Sequence, residues 1–155
     1  MKIRICAYVI LLILAFSSCQ KNTLSKIPSI DLTGFTNTPI KINKDNCFID
    51  FNLTDGDGDL GNPVVAGGPY DIYIKDFRYD TGFAGYYFPP TNLTTDETKN
   101  GLTGSCTFVI TPFIINARYD SLHANGDTTH FEIYIRDKAG NTSNHITTPN
   151  LVWIP

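Results

Sequence analysis

The stretch Cys47-Phe-Ile-Asp-Phe-Asn-Leu53 has an apolar side chain at every second position, the spacing of a β-strand with one buried face. Similar alternation, or a short run rich in β-forming residues, recurs at residues 30–35, 40–42, 70–77, 86–88, 106–110, 131–136 and 146–154. Beyond residue 28 no window of twelve residues has a helical stripe. The sequence therefore predicts one all-β domain, and about seven strands at this spacing favour an antiparallel β-sandwich over a barrel.

The N-terminal segment predicts export from the cytoplasm. Lys2 and Arg4 precede an apolar run over residues 5–16, which is long enough for a signal peptide and too short to span a bilayer. The ending Phe16-Ser-Ser-Cys19 resembles a bacterial lipobox, which implies cleavage after residue 18 and lipidation of Cys19. The alternative is an ordinary signal peptide cleaved near Ser18. The predicted organisation is a signal peptide over 1–18, a lipidated cysteine and tether over 19–28, and a domain over 29–155.

Charge limits the class of partner. Removing 18 of the 155 residues leaves 137, and the loss of Lys2 and Arg4 leaves 10 basic residues of the original 12 against 15 acidic ones. An acidic chain without a basic patch does not predict nucleic-acid binding. The membrane is expected to be contacted through the lipid anchor, which implies an outer-membrane lipoprotein of the bacterial cell envelope. Its periplasmic or surface orientation stays open.

The segment Ile133-Tyr-Ile-Arg-Asp-Lys-Ala-Gly-Asn-Thr-Ser143 resembles the last hairpin of bacterial immunoglobulin-like domains. That resemblance implies an immunoglobulin-like sandwich. Together with Asp55-Gly-Asp-Gly-Asp-Leu-Gly61, the hairpin is also similar to small uncharacterised lipoproteins of Bacteroidota, a likeness that implies no activity.

Asp55, Asp57 and Asp59 alternate with glycines, so that three carboxylates can turn towards one hard cation. Ca²⁺ accepts six to eight oxygen ligands. The loop is not an EF-hand, because Leu60 replaces the invariant glycine and Ala66 replaces the bidentate glutamate. Calcium is the predicted cofactor, as a structural rather than a catalytic ion, and a solvated turn is the alternative.

Three aspartates are too few for Ca²⁺, so other loops must contribute ligands. In the immunoglobulin-like topology that the resemblance implies, this loop joins strands B and C and lies at the same end as the F–G hairpin. Asp137 and Asn141 are therefore predicted to complete the site, and Asp31 is expected to be near.

Cys47 and Cys106 are the cysteines left after lipidation of Cys19 and loss of the signal peptide. An oxidising compartment permits a disulfide. The same topology separates them along the sandwich, beyond the Cα distance of about 7 Å that a disulfide spans. Two free thiols are favoured, and the bond is kept as the alternative.

Weaker patterns concern modification and ligand binding. Ser121 and Thr128 lie in Asp-Ser/Thr-apolar-type triplets that resemble O-glycosylation sites of Bacteroidota. The aromatic segment 83–90 either stacks on a sugar or partner, or is a strand with Tyr86 and Phe88 in the core; the strand is favoured.

No catalytic motif is present: the three histidines lack zinc-ligand spacing, and no nucleophile elbow or phosphate loop occurs. The predicted function is a non-catalytic binding or interaction module of the envelope, with an unknown protein or glycan partner. A structural accessory subunit is the alternative, and a carbohydrate-processing enzyme is a more remote one.

Overall fold

The computed structural model of the chain describes residues 24–36, 38–41, 44–78, 82–88, 101–111 and 125–155. Within these ranges there are ten strands and no helix, and hence no helix long and apolar enough to cross a membrane. The all-β prediction is confirmed. The strands are β1 (Ser29–Phe35), β2 (Ile40–Lys41), β3 (Cys47–Asp55), β4 (Ile72–Asp76), β5 (Ala84–Tyr86), β6 (Leu102–Ile110), β7 (Asp127–Thr129), β8 (Phe131–Ile135), β9 (Ile146–Thr147) and β10 (Leu151–Ile154). The predicted signal peptide, Cys19 and residues 20–23 lie outside the described residues.

The first sheet has the order β1-β3-β6, with both pairs antiparallel. Alternate residues of β3 are buried, from Cys47 to Asp55, as the period of two in the sequence predicts. The inward side chains Ile49 and Phe51 are fully buried. Because the alternation extends beyond Leu53, it carries the side chain of Asp55 into the interior as well.

The second sheet has the order β5-β4-β8-β9, also antiparallel throughout. Ile72 pairs with Ile135 and Ile74 with Ile133, and all four side chains are buried. These residues belong to the same apolar cluster as Ile49 and Phe51 on the first sheet. Two sheets with one shared core are consistent with a β-sandwich.

A third small sheet has the order β2-β10-β7, in which β10 is parallel to β2 and antiparallel to β7. Trp153 of β10 is buried, and the Arg78 guanidinium carbon lies 3.6 Å from the centre of a Trp153 ring. Arg78 also forms an ion pair with Asp76 at the end of β4. This contact ties the third sheet to the second.

Some predicted strands differ from the observed ones. The described residues form ten strands, where about seven were predicted for the domain. The expected strand over 146–154 is divided into β9 and β10, because Pro149 has no N–H for a ladder. The expected strand over 86–88 begins two residues earlier, at Ala84, although Tyr86 and Phe88 do pack against the core. β7 was not predicted, since Asp127-Thr-Thr129 has no apolar alternation.

Cys47 and Cys106 are free thiols. They lie on neighbouring strands, but Cys106 pairs with Phe51, four residues from Cys47. Four residues of strand span roughly 13 Å, so no disulfide can form without rearrangement. The predicted pair of free thiols is what the structure contains.

We expect both thiols to react slowly with thiol reagents in the native protein. Burial raises the pKa of Cys47 to about 11 although the Thr36 side chain acts in the opposite direction, and burial also raises the pKa of Cys106. Titration of the native and the unfolded protein with a chromogenic disulfide reagent measures this difference. Rapid native labelling, or two thiols missing after unfolding, would contradict it.

Candidate metal centre

The candidate site is formed where the β3–β4 loop meets the β8–β9 turn. Asp55 ends β3, Asp57 and Asp59 follow it in the loop, and Asp137 comes two residues after β8. One carboxylate oxygen from each residue lies within 4.8 Å of those from the other three. Asp55 is 0% exposed and Asp137 is 1% exposed. The structure thus brings together the four aspartates that the sequence analysis selected.

Backbone amides orient the carboxylates. One oxygen of Asp55 accepts a hydrogen bond of 3.0 Å from the Asp59 amide, and one oxygen of Asp59 accepts 3.1 Å from the Ala139 amide. The Lys138 amide donates to the Asp59 carbonyl at 3.3 Å. These last two bonds cross from one loop to the other, so the cluster belongs to both.

Three other carboxylate oxygens of this cluster lack a donor among the described residues. Oδ1 of Asp55, of Asp57 and of Asp59 is buried and has no hydrogen-bond partner. An unsatisfied buried polar atom costs about 1–3 kcal/mol, and more when it is charged. Three such atoms in one place are difficult to explain as a solvated turn, because a turn would expose them to water. They need a cation or protons.

The electrostatics of the cluster also favour binding of a cation. Burial, together with the smaller effects of the Asp57 and Asp59 charges, raises the pKa of Asp55 from 3.8 to about 6. Burial likewise raises the pKa of Asp59, with smaller contributions from Asp137 and Asp57. The carboxylates therefore oppose one another's ionisation in the absence of a cation.

The donor set fits a hard cation. All four groups offer oxygen, and the cluster contains neither histidine nor cysteine, the ligands that zinc prefers. Ca²⁺ takes six to eight oxygens in flexible geometry, so four carboxylates would leave positions for carbonyl oxygens or water. Mg²⁺ has the same preference for oxygen but demands a stricter octahedron and loses its water less readily.

The structure places Asn141 beside the cluster and Asp31 outside it. Asn141 donates to Asp137 from its backbone amide and its side-chain amide, both at 2.7 Å. It therefore holds a candidate ligand in place, and its side-chain nitrogen faces Asp137. Asp31 is exposed on β1, opposite Asn52, and does not belong to the cluster.

Sequence reasoning missed the residues that fix the rest of the β3–β4 loop. Asp71 is 0% exposed, and its carboxylate accepts hydrogen bonds from the Asn62 amide (2.6 Å), the Asn62 side chain (2.9 Å) and the Phe88 amide (2.7 Å). Asp71 thus closes the loop at its base. The segment Asp71-Ile-Tyr-Ile-Lys-Asp76 resembles Glu132-Ile-Tyr-Ile-Arg-Asp137, which was the available signal, but this likeness does not show that Asp71 is buried.

The predicted glycosylation sites are Thr128 and Ser121. Thr128 lies in β7, opposite Val152, and is exposed, so its hydroxyl is accessible to a modifying enzyme. Ser121 lies outside the described residues.

Comparison of the chain with protein-family models, with curated proteins and with solved structures finds no match.

The elevated pKa of Asp55 leads to an expected pH dependence in the metal-free protein. Because its folded pKa of about 6 exceeds the ordinary 3.8, the folded state binds more protons than the unfolded state between these values. The Asp55 contribution to the free energy of unfolding should therefore increase as the pH falls from about 6 to about 4.

Urea unfolding in chelator at pH 7 and pH 5 measures this contribution as the difference between wild type and Asp55→Asn. The wild type should gain stability relative to the variant at pH 5. An unchanged difference between the two pH values would show that Asp55 does not take up the proton.

Proposed function

We propose that this protein is a lipid-anchored, non-catalytic binding module of the bacterial cell envelope, with loops stabilised by Ca²⁺. The observation that carries the proposal is the fully buried Asp55, whose unpartnered oxygen lies among three further carboxylates. Calcium would neutralise the cluster and join the β3–β4 loop to the β8–β9 turn. The lipobox-like sequence ending in Cys19 supports the anchor and an extracytoplasmic location.

The order of the strands supports an immunoglobulin-like arrangement. If β1, β3 and β6 are strands A, B and E, then β5, β4, β8 and β9 correspond to C′, C, F and G. In immunoglobulin-like domains the B–C and F–G loops lie at one end and commonly form the binding surface. The aspartate cluster joins these same two loops in this chain.

The β3–β4 loop displays apolar side chains on a fixed backbone. Val64 is 73% exposed and Val65 is 45% exposed. The Tyr87 hydroxyl accepts a hydrogen bond from the Val65 amide at 3.0 Å and donates one to the Val65 carbonyl. A preorganised apolar tip loses little conformational entropy on binding, which favours a protein partner.

A glycan partner is favoured by a different surface. On the second sheet the ring of Tyr134 is stacked on Tyr73 on one side and on His145 on the other, each with 4.7 Å between ring centroids, and Phe83 meets Tyr134 edge-on. Because Tyr73 and His145 cover both faces of Tyr134, a glycan would contact the outer edges of this row of rings, which Tyr134 holds together. The protein and glycan alternatives therefore use different residues and can be tested separately.

The test is affinity capture with the intact lipoprotein from its own membranes, in calcium and in chelator. For a binding module with a protein partner, Val64→Ser/Val65→Ser should abolish capture, and Tyr134→Ala should not. For a glycan partner, Tyr134→Ala should abolish binding to a glycan array, and Val64→Ser/Val65→Ser should not. A single stoichiometric partner retained by both variants and in chelator would favour the alternative, a structural accessory subunit. Absence of any specific ligand in both assays would contradict the binding role.

A further inference from the structure

The segment Leu24–Pro28, which leads from the predicted anchor to β1, packs against the aspartate loop. The Gly56 amide donates a hydrogen bond of 2.6 Å to the Ser25 carbonyl. Gly56 lies between Asp55 and Asp57, so its two neighbours in the chain are both candidate ligands. The part of the loop that would hold the ion is therefore the part that holds the N-terminal segment.

The contact at Gly56 is too close for any side chain. A Cβ at this position would lie 2.2 Å from the Leu24 carbonyl oxygen and 2.5 Å from the Ser25 carbonyl oxygen. The Leu24 side chain also reaches Gly101, where an added Cβ would be 3.1 Å from its Cδ1. Two glycines thus form the surface against which this segment lies.

Beyond Pro28 the chain is held independently of the loop. Pro28 is fully buried, and Asn144 brackets Ile30 by accepting from its amide (2.9 Å) and donating to its carbonyl (2.8 Å). In contrast, Leu24 and Ile27 are 40% and 56% exposed. Release of the loop contact would therefore free the chain as far as Pro28 and leave β1 in place.

We propose that binding of Ca²⁺ to the aspartate cluster and docking of Leu24–Pro28 on Gly56 are coupled, so that calcium sets how far the domain reaches from its membrane anchor. The inference depends on the proposed calcium site and lipid anchor. Without the ion, repulsion among the carboxylates displaces the backbone at Gly56 and releases Ser25. With the ion, the Gly56 amide is directed at the Ser25 carbonyl.

The largest possible change in reach follows from the number of residues between the predicted anchor and the docked segment. Five residue steps separate Cys19 from Leu24, and nine separate it from Pro28. At about 3.5 Å per extended residue, the maximum reach is roughly 17 Å in the docked state and roughly 31 Å in the released state. Calcium would thus draw the domain towards the membrane by up to about 14 Å.

Cleavage by a lysine-specific endoproteinase tests the coupling on the full lipoprotein in detergent micelles. Lys26 lies in the docked segment. Lys44 lies in the turn before β3, at the end of that strand opposite to the aspartate cluster, and therefore serves as an internal reference. Calcium is expected to slow cleavage after Lys26 at least tenfold and to leave cleavage after Lys44 little changed. Equal rates after Lys26 in calcium and in chelator would overturn the inference.

Gly56→Ala is the matched variant, since it blocks docking and retains all four carboxylates. It should be cleaved after Lys26 at the fast rate with or without calcium. Because coupling is reciprocal, its calcium affinity should fall by the same factor by which calcium protects Lys26 in the wild type, about 10-fold or more. Gly82→Ala, where no atom lies within 4 Å of the added Cβ, should behave as wild type.

Calorimetry in the same micelles separates the two claims. Calcium binding without protection of Lys26 in the wild type would refute the coupling and leave the proposed site intact. Absence of calcium binding would refute both. Because the wild-type comparison is decisive by itself, the test holds even if Gly56→Ala fails to fold.

Discussion

The Asp55→Asn variant is expected to be more stable than the wild type in chelator and less stable than the wild type in calcium. In chelator the substitution removes a buried charge with an unpartnered oxygen. The amide oxygen can still accept from the Asp59 amide, and the new NH₂ group can donate to the neighbouring carboxylates. We expect a gain of about 1–3 kcal/mol at pH 7, the cost of one unsatisfied buried group.

In calcium the order reverses, because the wild type gains the free energy of binding. An ion at 100 times its dissociation constant stabilises the folded state by about 2.7 kcal/mol. The variant loses a charged ligand and most of this gain. Thermal unfolding of both proteins in chelator and in calcium measures the reversal.

Asp31→Asn is the matched control, since Asp31 is exposed on β1 and lies outside the cluster. Its thermal stability should equal that of the wild type both in chelator and in calcium. If Asp55→Asn destabilises the protein equally with and without calcium, Asp55 is an ordinary buried hydrogen-bonding residue and the metal site is wrong.

The second large effect is expected for Asp71→Ala, with a loss of roughly 3–5 kcal/mol in the free energy of unfolding. The Asp71 carboxylate is fully buried and accepts three hydrogen bonds from Asn62 and Phe88. Its removal leaves the buried amide of Asn62 and the partly buried amide of Phe88 without acceptors, at about 1–3 kcal/mol each, and also a cavity.

Urea denaturation measures this loss, with exposed Asp31→Ala as the control for removing a carboxylate from the domain. Because Asp71 closes the base of the β3–β4 loop, its loss should also weaken calcium binding. A change within about 0.5 kcal/mol, typical of surface substitutions, would show that the three hydrogen bonds contribute little.

The fold was largely predictable where apolar alternation is strong. The period of two in β3, β4 and β8 follows directly from burying one face of each strand, and the structure has these strands. The short strands were less predictable, because β7 and β9 have two or three residues and gain their pairing from neighbouring strands. Such short strands depend on tertiary contacts, which cannot be predicted from the local sequence.

The candidate metal site was likewise predictable only in part. Asp55, Asp57 and Asp59 are visible in the sequence because carboxylates at alternate positions repel one another without a cation. Asp137 was placed beside them by the topology that the family resemblance implied, and the structure puts it there. The roles of Gly56 and Asp71 could not be predicted, since each depends on a close approach between segments distant in sequence.

The most direct test of the central claim is a calorimetric titration of Ca²⁺ into the metal-stripped protein, with thermal unfolding measured in parallel. We expect one ion bound per chain and a melting temperature raised by roughly 10 °C at saturating calcium. Both signals should be lost in Asp57→Asn/Asp59→Asn. No heat of binding together with an unchanged melting temperature would contradict the metal site.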